Sequence, residues 1–298
     1  MVLYHGKGFH LRVTDKHRLP ILKDGGIEYF EAKELKNRYK FTFIKSGIVD
    51  TKGINLSDEL LKIYIILVAD GNITPAKLAR VNVYKKRKVE YVCKVLESAK
   101  VEYKLLPQKN GGTNIHFRLP KELMEYNIKG LDSKILEATK EQAEIIRCTY
   151  RQTDGHNDII YTSKKQEVDL LQHMFITNGY SCKVHERKGH GFSKNTSYQL
   201  SIYDKAITKA IKVKERVKIE KVVNEDVWCI QNKNTNFIIR YKGCTQLTGN
   251  CHANKDQSKE RVLKEGSWEI DKRYFNVNID VNNYEFVKVE DIKRYFNV

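Results

Sequence analysis

Two Asp-Gly pairs, each at the end of a helical stretch, are the residues best placed to share one chemical task. Asp70 and Gly71 close the stretch 56–71, whose nearly continuous apolar residues predict a buried helix. Asp154 and Gly155 close the stretch 145–155, which is also helical in pattern. A carboxylate at the tip of a buried helix needs water, a partner charge or a metal ion. Gly71 is predicted to leave its helix in a left-handed conformation.

Taken alone, either pair also fits an ordinary core helix that ends in a solvated turn. The order of elements after each pair, however, is repeated. Both are followed by a predicted strand, a helix and two further strands, at 78–84, 87–99, 101–106 and 115–119 and again at 157–162, 165–178, 180–185 and 197–203. Two such units in tandem indicate a pseudo-twofold protein whose helix ends meet on the axis. Two carboxylates meeting there would repel, and a divalent cation is the simplest resolution.

At these residues the chain resembles the LAGLIDADG (dodecapeptide, DOD-type) homing endonucleases. The segment IYIILVADG at 63–71 matches the family motif well, whereas RCTYRQTDG at 147–155 is more polar because of Arg147, Arg151 and Gln152. Its small residues Thr149 and Thr153 would still allow close helix approach.

The resemblance implies an endonuclease domain over residues 56–210, with repeats at about 56–125 and 133–210. In such a domain Asp70 and Asp154 would be catalytic, would bind Mg²⁺ and would support cutting of both strands of double-stranded DNA. The protein would be a monomeric pseudo-dimer whose β-strands straddle the duplex.

The composition agrees with a polyanionic partner. The 298 residues include 54 Lys and Arg against 37 Asp and Glu, a net charge of +17. Such an excess favours phosphate contacts, although it also fits simple solubility. The strand residues predicted to contact phosphate are Lys85, Lys86, Arg87, Arg118, Arg187 and Lys188. Catalytic lysines are expected from the resemblance, but the sequence offers no basis for choosing them.

The two ends of the chain carry a second set of reactive groups. Near the start, Thr14 and His17 follow an alternating strand and are placed to orient one another in a turn. Near the other end stand Gly249, Asn250 and Cys251. An Asn amide can attack its own carbonyl and break the chain, and a following Cys can accept an acyl group as a thioester. Each group alone also fits an ordinary turn.

Together these ends resemble inteins. TDKHRLPI at 14–21 is similar to their second splicing block, and the segment 227–251 is similar to their last two blocks. The resemblance implies an α+β protein in which an all-β, Hint-like splicing domain, from residues 1–55 and 211–250, is interrupted by the αββαββ endonuclease. Residues 251–298 would be a C-terminal host (extein) segment. Thr14 and His17 would activate the upstream bond, Asn250 would cyclise and Cys251 would accept the acyl group, without a cofactor.

Three departures qualify that resemblance. Gly249 stands where inteins usually have His, and Cys229 stands where Asp is frequent. Cys229 is a candidate acid or thiol in catalysis, or a core cysteine. The chain begins only shortly before Thr14, so the first acyl shift would need a separate N-terminal half or a longer gene; otherwise the domain is a remnant.

Two other interpretations stay open. In the first, the chain would be a catalytically inactive DNA-binding protein of the LAGLIDADG fold. In the second, it would be a basic α/β protein with no reactivity at Asn250. The six cysteines show no CxxC spacing, which indicates reduced thiols inside the cell, in the cytoplasm or nucleoid, and is compatible with a phage or viral gene. Without an apolar run of roughly 18 residues or a signal-peptide pattern, no membrane association is expected.

Overall fold

The chain folds into two compact units of mixed α and β structure. The computed structural model describes residues 2–6, 9–35, 40–189, 195–211, 217–219, 227–231, 236–249 and 274–278. Unit 1 comprises residues 1–44, 208–241 and 246–298, and unit 2 comprises residues 45–207 and 242–245. Asn250 and Cys251 lie outside the described residues. Within those residues no helix is long and apolar enough to cross a membrane.

Unit 1 is built mainly from β-strands. Its elements before unit 2 are β1 (Val2–Gly6), β2 (Phe9–Val13), β3 (Arg18–Lys23), β4 (Gly26–Glu31), α1 (Ala32–Leu35) and β5 (Lys40–Ile44). Its later strands are β14 (Ile207–Ile211), β15 (Val217–Ile219), β16 (Val227–Gln231), β17 (Asn236–Tyr241), β18 (Cys244–Gly249) and β19 (Tyr274–Asn278). β15, β1 and β2 form one sheet, β14, β5, β3 and β4 form a second, and β16 pairs in parallel with β19.

Alternating side chains explain the core of unit 1. Phe9, Leu11 and Val13 of β2 are buried, as their spacing predicts for a half-buried strand. They belong to one cluster with buried residues of β1 and β5, including Tyr4 and Phe43, whose rings meet edge to face at 6.3 Å. The hydroxyl of Tyr4 donates a hydrogen bond to the carbonyl of Ala32, so its polar end is satisfied inside the core.

Unit 2 contains the same six elements twice. The first repeat has α2 (Asp58–Asp70), β6 (Gly71–Ile73), β7 (Leu78–Val83), α3 (Lys86–Ser98), β8 (Tyr103–Pro107) and β9 (Thr113–Arg118). The second has α4 (Lys140–Gln152), β10 (Gly155–His156), β11 (Ile159–Thr162), α5 (Lys165–Thr177), β12 (Ser181–Arg187) and β13 (Ser197–Tyr203). Two short 3₁₀-helices, Lys121–Glu125 and Ser133–Glu137, connect the repeats. The predicted αββαββ order is therefore present.

Each repeat forms one antiparallel sheet. The strand orders are β6-β7-β9-β8 and β10-β11-β13-β12, and the first residues of β18 extend the second sheet beside β12. α2 and α4 pack against each other. Both helices begin at defined caps: Ser57 accepts from the amide of Leu60, and Thr139 forms a capping box with Gln142.

The glycines after the two helices are needed for close approach rather than for a left-handed turn. Gly71 has φ −101° and ψ 164°, an extended conformation that starts β6, so the predicted left-handed exit is wrong. A Cβ at Gly71 would lie 2.6 Å from backbone atoms of Leu67, and one at Gly155 would lie 2.6 Å from the carbonyl oxygen of Tyr150. At both positions the chain therefore turns directly from the helix into the next strand and passes close to the last turn of the helix.

Candidate active site and nucleic-acid interface

The two motif acids share one lysine. Asp70 is the last residue of α2, and Asp154 follows the end of α4 by two residues. Lys88 Nζ donates to Asp70 Oδ2 at 2.8 Å and to Asp154 Oδ1 at 3.4 Å. The packing of α2 against α4 therefore brings both carboxylates to a single ammonium group, as the repeated helix ends predict. Lys88 is the residue that the sequence did not single out.

The electrostatics of this cluster leave negative charge only partly compensated. Burial, followed by the nearby charge of Asp70, raises the pKa of Asp154 from 3.8 to about 6, although Lys88 opposes the shift. The side chains of Lys88 and Asp70 are 14% and 16% exposed, whereas that of Asp154 is 39% exposed. The site is thus an acid pair in unit 2, and Asp154 is the more accessible of its two acids.

The first turn of α3 carries the cations that reach this site. Lys86 and Arg87 lie in that turn and Lys85 is its N-cap, so their prediction as strand residues is wrong. Arg87 Nη1 donates to the carbonyl of Gln152 at 3.3 Å, while Lys88 reaches Asp70 at the end of α2. A cation stabilises the negative end of a helix dipole, so α3 places one positive group at the C-terminal end of each of these two helices.

The polar character of α4 is explained by a network within the second repeat. Arg147 is buried and donates to Asp158 at 2.8 Å and to Asp204 at 2.5 Å. Glu144 accepts from Arg147 at 3.3 Å, and the guanidinium lies 5.4 Å from the ring centre of Tyr180. The arginine thus belongs to an ion-pair cluster with residues beside β11, β12 and β13, in which three carboxylates accept hydrogen bonds from its guanidinium.

Small residues of α4 are buried, as the sequence predicts for a closely packed helix. Thr149 is inaccessible to solvent and Thr153 is 3% exposed. Their hydroxyls donate to the carbonyls of Ile145 and Thr149, and Thr149 also accepts from Tyr91 on α3. Hydroxyls that bond to the preceding turn of their own helix can be buried without an unsatisfied donor.

The donor set fits a magnesium ion. Two carboxylates whose mutual repulsion contributes to a raised pKa provide the oxygen ligands that Mg²⁺ prefers. Among the described residues no group of three or more His, Cys, Asp or Glu forms a complete metal cage. Mg²⁺ commonly uses one or two carboxylates and completes its shell with water and substrate phosphates, so Asp70 and Asp154 are sufficient candidates.

The outward face of the first sheet is mainly polar and begins beside the acid pair. Ala79, Val81, Ile115 and Phe117 are buried, so the alternate side chains of β7 and β9 point away from the core. Strand register aligns those side chains in two cross-strand rows, Asn72–Arg80–His116–Lys104 and Asn82–Asn114–Leu106. Within the described part of the chain, Nε2 of His116 is buried without a hydrogen-bond partner.

The second sheet repeats this arrangement only in part. The row Tyr161–Gln199–His185 has an exposed residue at each end, and Ser197 lies opposite the exposed Arg187, whereas Ser201 in the row His156–Ile159–Ser201–Lys183 is buried. Arg118 and Arg187 are exposed at the ends of β9 and β12, and Lys188 is exposed just after β12. Arg, Asn, Gln and His are residue types that read base edges, and two-stranded or larger sheets can enter a DNA groove.

In unit 1, the predicted block around His17 lies beside the end of β18. His17 is buried, its amide donates to the carbonyl of Thr14, and its Nε2 shares a hydrogen bond of 2.5 Å with Oγ1 of Thr248. Burial lowers the pKa of His17 to about 4, so the ring is neutral at physiological pH. A Cβ at Gly249 would lie 2.7 Å from the carbonyl oxygen of Arg18, so a larger residue at this position would meet the backbone.

The remaining predicted splicing residues are only partly described. Cys229 lies in β16, as predicted for its strand, but its side chain is not among the described ones. Asn250 and Cys251 fall directly after the last described residue of β18. Their predicted roles therefore stay predictions.

Comparison with known proteins gives distant likenesses. No protein-family model and no curated protein matches the chain. The chain is similar to the N-terminal LAGLIDADG domain of DUF199/WhiA, with a TM-score of 0.35 and 6% identity over 50% of this chain and 79% of that one. For full-length DUF199/WhiA from Thermatoga maritima the TM-score is 0.37 with 7% identity, over 50% of this chain and 54% of that one.

A third similar structure is I-DmoI in complex with DNA and Mn, with a TM-score of 0.35 and 9% identity over 50% of this chain and 90% of that one. A further one comes from mesophilic variants of the homing endonuclease I-DmoI, with a TM-score of 0.37 and 10% identity over 49% of this chain and 88% of that one. At these TM-scores the likenesses carry no argument of their own. The functional interpretation rests on the described residues.

Proposed function

We propose that unit 2 is a metal-dependent DNA endonuclease of the LAGLIDADG type. The observation that carries this proposal is the meeting of Asp70 and Asp154, from equivalent helix ends of two repeats, at the single ammonium of Lys88. The outward polar side chains of the first sheet, the exposed Arg187 and Lys188 at the end of β12 and the net charge of +17 support a duplex as the partner.

In this proposal, metal binding, charge stabilisation and DNA binding are assigned to different residues. Asp70 and Asp154 would hold Mg²⁺, which when bound supplies Lewis-acid stabilisation and an activated water for phosphodiester hydrolysis. Lys88 holds the two carboxylates together and places a positive charge where negative charge develops on a phosphate. Arg118, Arg187 and the outward rows would bind the duplex and set its register.

A pool of random-sequence duplexes tests the proposal. The chain is first used to select bound duplexes in Ca²⁺, and the selected duplexes are then incubated with Mg²⁺. We expect cleavage by the wild-type chain and none by Asp70→Asn, which should still bind. Failure to retain any duplex at low salt would refute the proposal, since the basic faces would then have no polyanionic partner.

The same selection tests how the duplex is read. Arg80→Gln should relax base preference at one position and cost about 1–3 kcal/mol on the preferred duplex. Lys94→Gln, an exposed residue of α3 on the other side of the sheet, is the matched control and should leave base preference unchanged. Retained binding without cleavage by wild type in Mg²⁺ or Mn²⁺ would instead support the inactive DNA-binding protein.

We also propose, as a second function, that unit 1 is an intein-type splicing domain. The supporting observation is the hydrogen bond between His17 and Thr248, which brings the predicted Thr-x-x-His block close to the segment that leads into Asn250. His17 is neutral at physiological pH, so its ring can act as a hydrogen-bond partner in that segment. In this proposal Asn250 cyclises and Cys251 begins the host segment.

Intact-mass spectrometry of the purified chain, with and without added thiol, tests the splicing proposal. Loss of the segment after Asn250 from wild type, but not from Asn250→Ala, is the expected result. Because Gly249 stands where inteins usually have a histidine, we expect Asn250 to cyclise about 10²–10⁴-fold more slowly than at a site that has this histidine. Wild type that keeps its uncut mass after prolonged incubation, as Asn250→Ala does, also with a supplied N-terminal intein half, would refute it.

A further inference from the structure

Two exposed apolar side chains lie on the mainly polar outward face of the first sheet. Leu106 of β8 is 44% exposed, and Tyr84, which directly follows β7, is 60% exposed. Leu106 ends the row Asn82–Asn114–Leu106, and the neighbouring row carries an arginine, a histidine and a lysine. A single exposed apolar residue is ordinary, whereas neighbouring ones within a polar binding face are typical of a contact surface.

The ring of Tyr84 is held in place on this face. Asn110 Nδ2 donates to the hydroxyl of Tyr84 at 3.3 Å, and Asn110 Oδ1 accepts from the amide of Gly112 at 3.2 Å. A Cβ at Gly112 would lie 3.0 Å from Cε1 of Tyr84, so the ring lies directly against the glycine backbone. Gly112 precedes Asn114 by two residues, which places the ring beside the row that ends at Leu106. A ring fixed in this way loses little conformational freedom when it contacts a ligand.

The row Asn82–Asn114–Leu106 carries the groups that fit the major-groove edge of one A·T base pair. An Asn side chain can bind N6 and N7 of adenine through two hydrogen bonds, and an apolar side chain can contact the 5-methyl group of thymine. Cytosine has no methyl group at this position. The cations of the next row, Arg80 and Lys104, fit O6 and N7 of guanine instead. The two rows therefore differ in the base that they fit.

We propose that Leu106 and Tyr84 contact the 5-methyl group of a thymine in the major groove, so that binding of the duplex depends on this one methyl group. This inference rests on the proposed function and adds to it a feature of the base and the residues that recognise it. Because it concerns binding, it does not require that the chain cleave the duplex.

The size of the effect follows from the burial of one methyl group. Removing a methyl group from an apolar contact weakens binding by about 4-fold. Uracil pairs with adenine as thymine does and lacks only this group. Replacing a single thymine by uracil therefore isolates the methyl contact from the hydrogen bonds of the same base pair.

The test uses the full chain and a duplex selected in Ca²⁺, in which each thymine of either strand is replaced singly by uracil. We expect at least one replacement to weaken wild-type binding by about 4-fold. Leu106→Ala should bind the thymine and uracil forms of that position equally. Tyr84→Ala should also reduce the difference, whereas Tyr84→Phe, which keeps the ring, should retain it.

Leu105→Ala is the matched control. Leu105 is the preceding residue of the same strand and is 45% exposed, but it lies opposite the buried Ile115 and therefore belongs to the other face of the sheet. This variant should keep the preference of wild type for thymine. Melting temperatures show whether each variant is folded.

The outcomes separate this inference from the function on which it rests. Equal binding of the thymine and uracil forms at every position would overturn the inference and leave DNA binding intact. A preference for thymine that persists unchanged in folded Leu106→Ala and Tyr84→Ala would also overturn it. Failure to bind any duplex would instead overturn the proposed function, and the inference with it.

Discussion

The two motif acids look equivalent in sequence, yet the structure predicts that neutralising them changes stability in opposite directions. The pKa of Asp154 is raised from 3.8 to about 6, so the folded chain keeps a proton that the unfolded chain has already released between these values. The free energy of unfolding therefore falls as pH rises through this window, and the penalty is complete above pH ~6. Asp154→Asn removes that penalty.

The magnitude follows from the shift and from the exposure of the side chain. A shift of about 2 pKa units corresponds to about 3 kcal/mol in full. Because the Asp154 side chain is 39% exposed, solvent screening reduces the expected gain to about 1 kcal/mol. Asp70 is more buried and accepts from Lys88 at 2.8 Å, so Asp70→Asn should lose about 1.5–3 kcal/mol.

Urea unfolding followed by far-UV circular dichroism, with divalent metals chelated, measures both effects. Near neutral pH, Asp154→Asn should unfold at higher urea than wild type, and Asp70→Asn at lower urea. The gain of Asp154→Asn should shrink as the pH is lowered and vanish below about pH 4. A loss of stability in Asp154→Asn, or a gain that persists at acidic pH, would refute the account of the acid pair. Added Mg²⁺ should stabilise wild type more than either variant.

Three further predictions concern residues around the acid pair. Lys88→Met should slow strand cleavage about 10²–10³-fold with little loss of duplex binding in Ca²⁺, and an unchanged rate would contradict its proposed role. Arg147→Met should lower the free energy of unfolding by about 2–3 kcal/mol, because the arginine end of its ion pairs is buried. Lys140→Met, at an exposed residue of the same helix, is the control. Equal unfolding midpoints for these two variants would contradict the prediction. Gly71→Ala should cost about 1–3 kcal/mol by steric conflict with the preceding turn, whereas Gly47→Ala, which has open space, should cost much less in the same unfolding measurement.

The parts of the site that the sequence predicts are those set by local pattern. The apolar run before Asp70 and the repeated order of elements are both properties of contiguous residues, and both are present in the structure. The partners of Arg147 could not be found in this way, because Asp158 and Asp204 become neighbours only when the second sheet forms. The polarity of the second motif therefore has no explanation in the sequence alone, whereas in the structure the arginine is satisfied within its own repeat.

Lys88 could have been found from a local inconsistency. The four cations at 85–88 occupy the N-cap and first turn of α3, which has no acidic residue in that turn and no side-chain cap. Positive charge at a helix N-terminus opposes the helix dipole by about 0.3–1 kcal/mol per residue. A helix start that is unfavourable by itself implies that the charges are needed elsewhere, and Arg87 and Lys88 do contact the ends of two other helices.

The same argument distinguishes the two repeats. α5 also begins with two lysines and lacks a side-chain cap, but its third and fourth positions are Gln166 and Glu167 rather than two cations. An acid in the first turn agrees with the dipole, so the second repeat is the locally favourable version of this helix start. The less favourable helix start is that of α3, whose Lys88 contacts Asp70 and Asp154. The first repeat therefore loses some helix stability and gains a positive charge beside the acid pair. The glutamate suits its own helix and accepts hydrogen bonds from Thr162 and Lys164 within its own repeat.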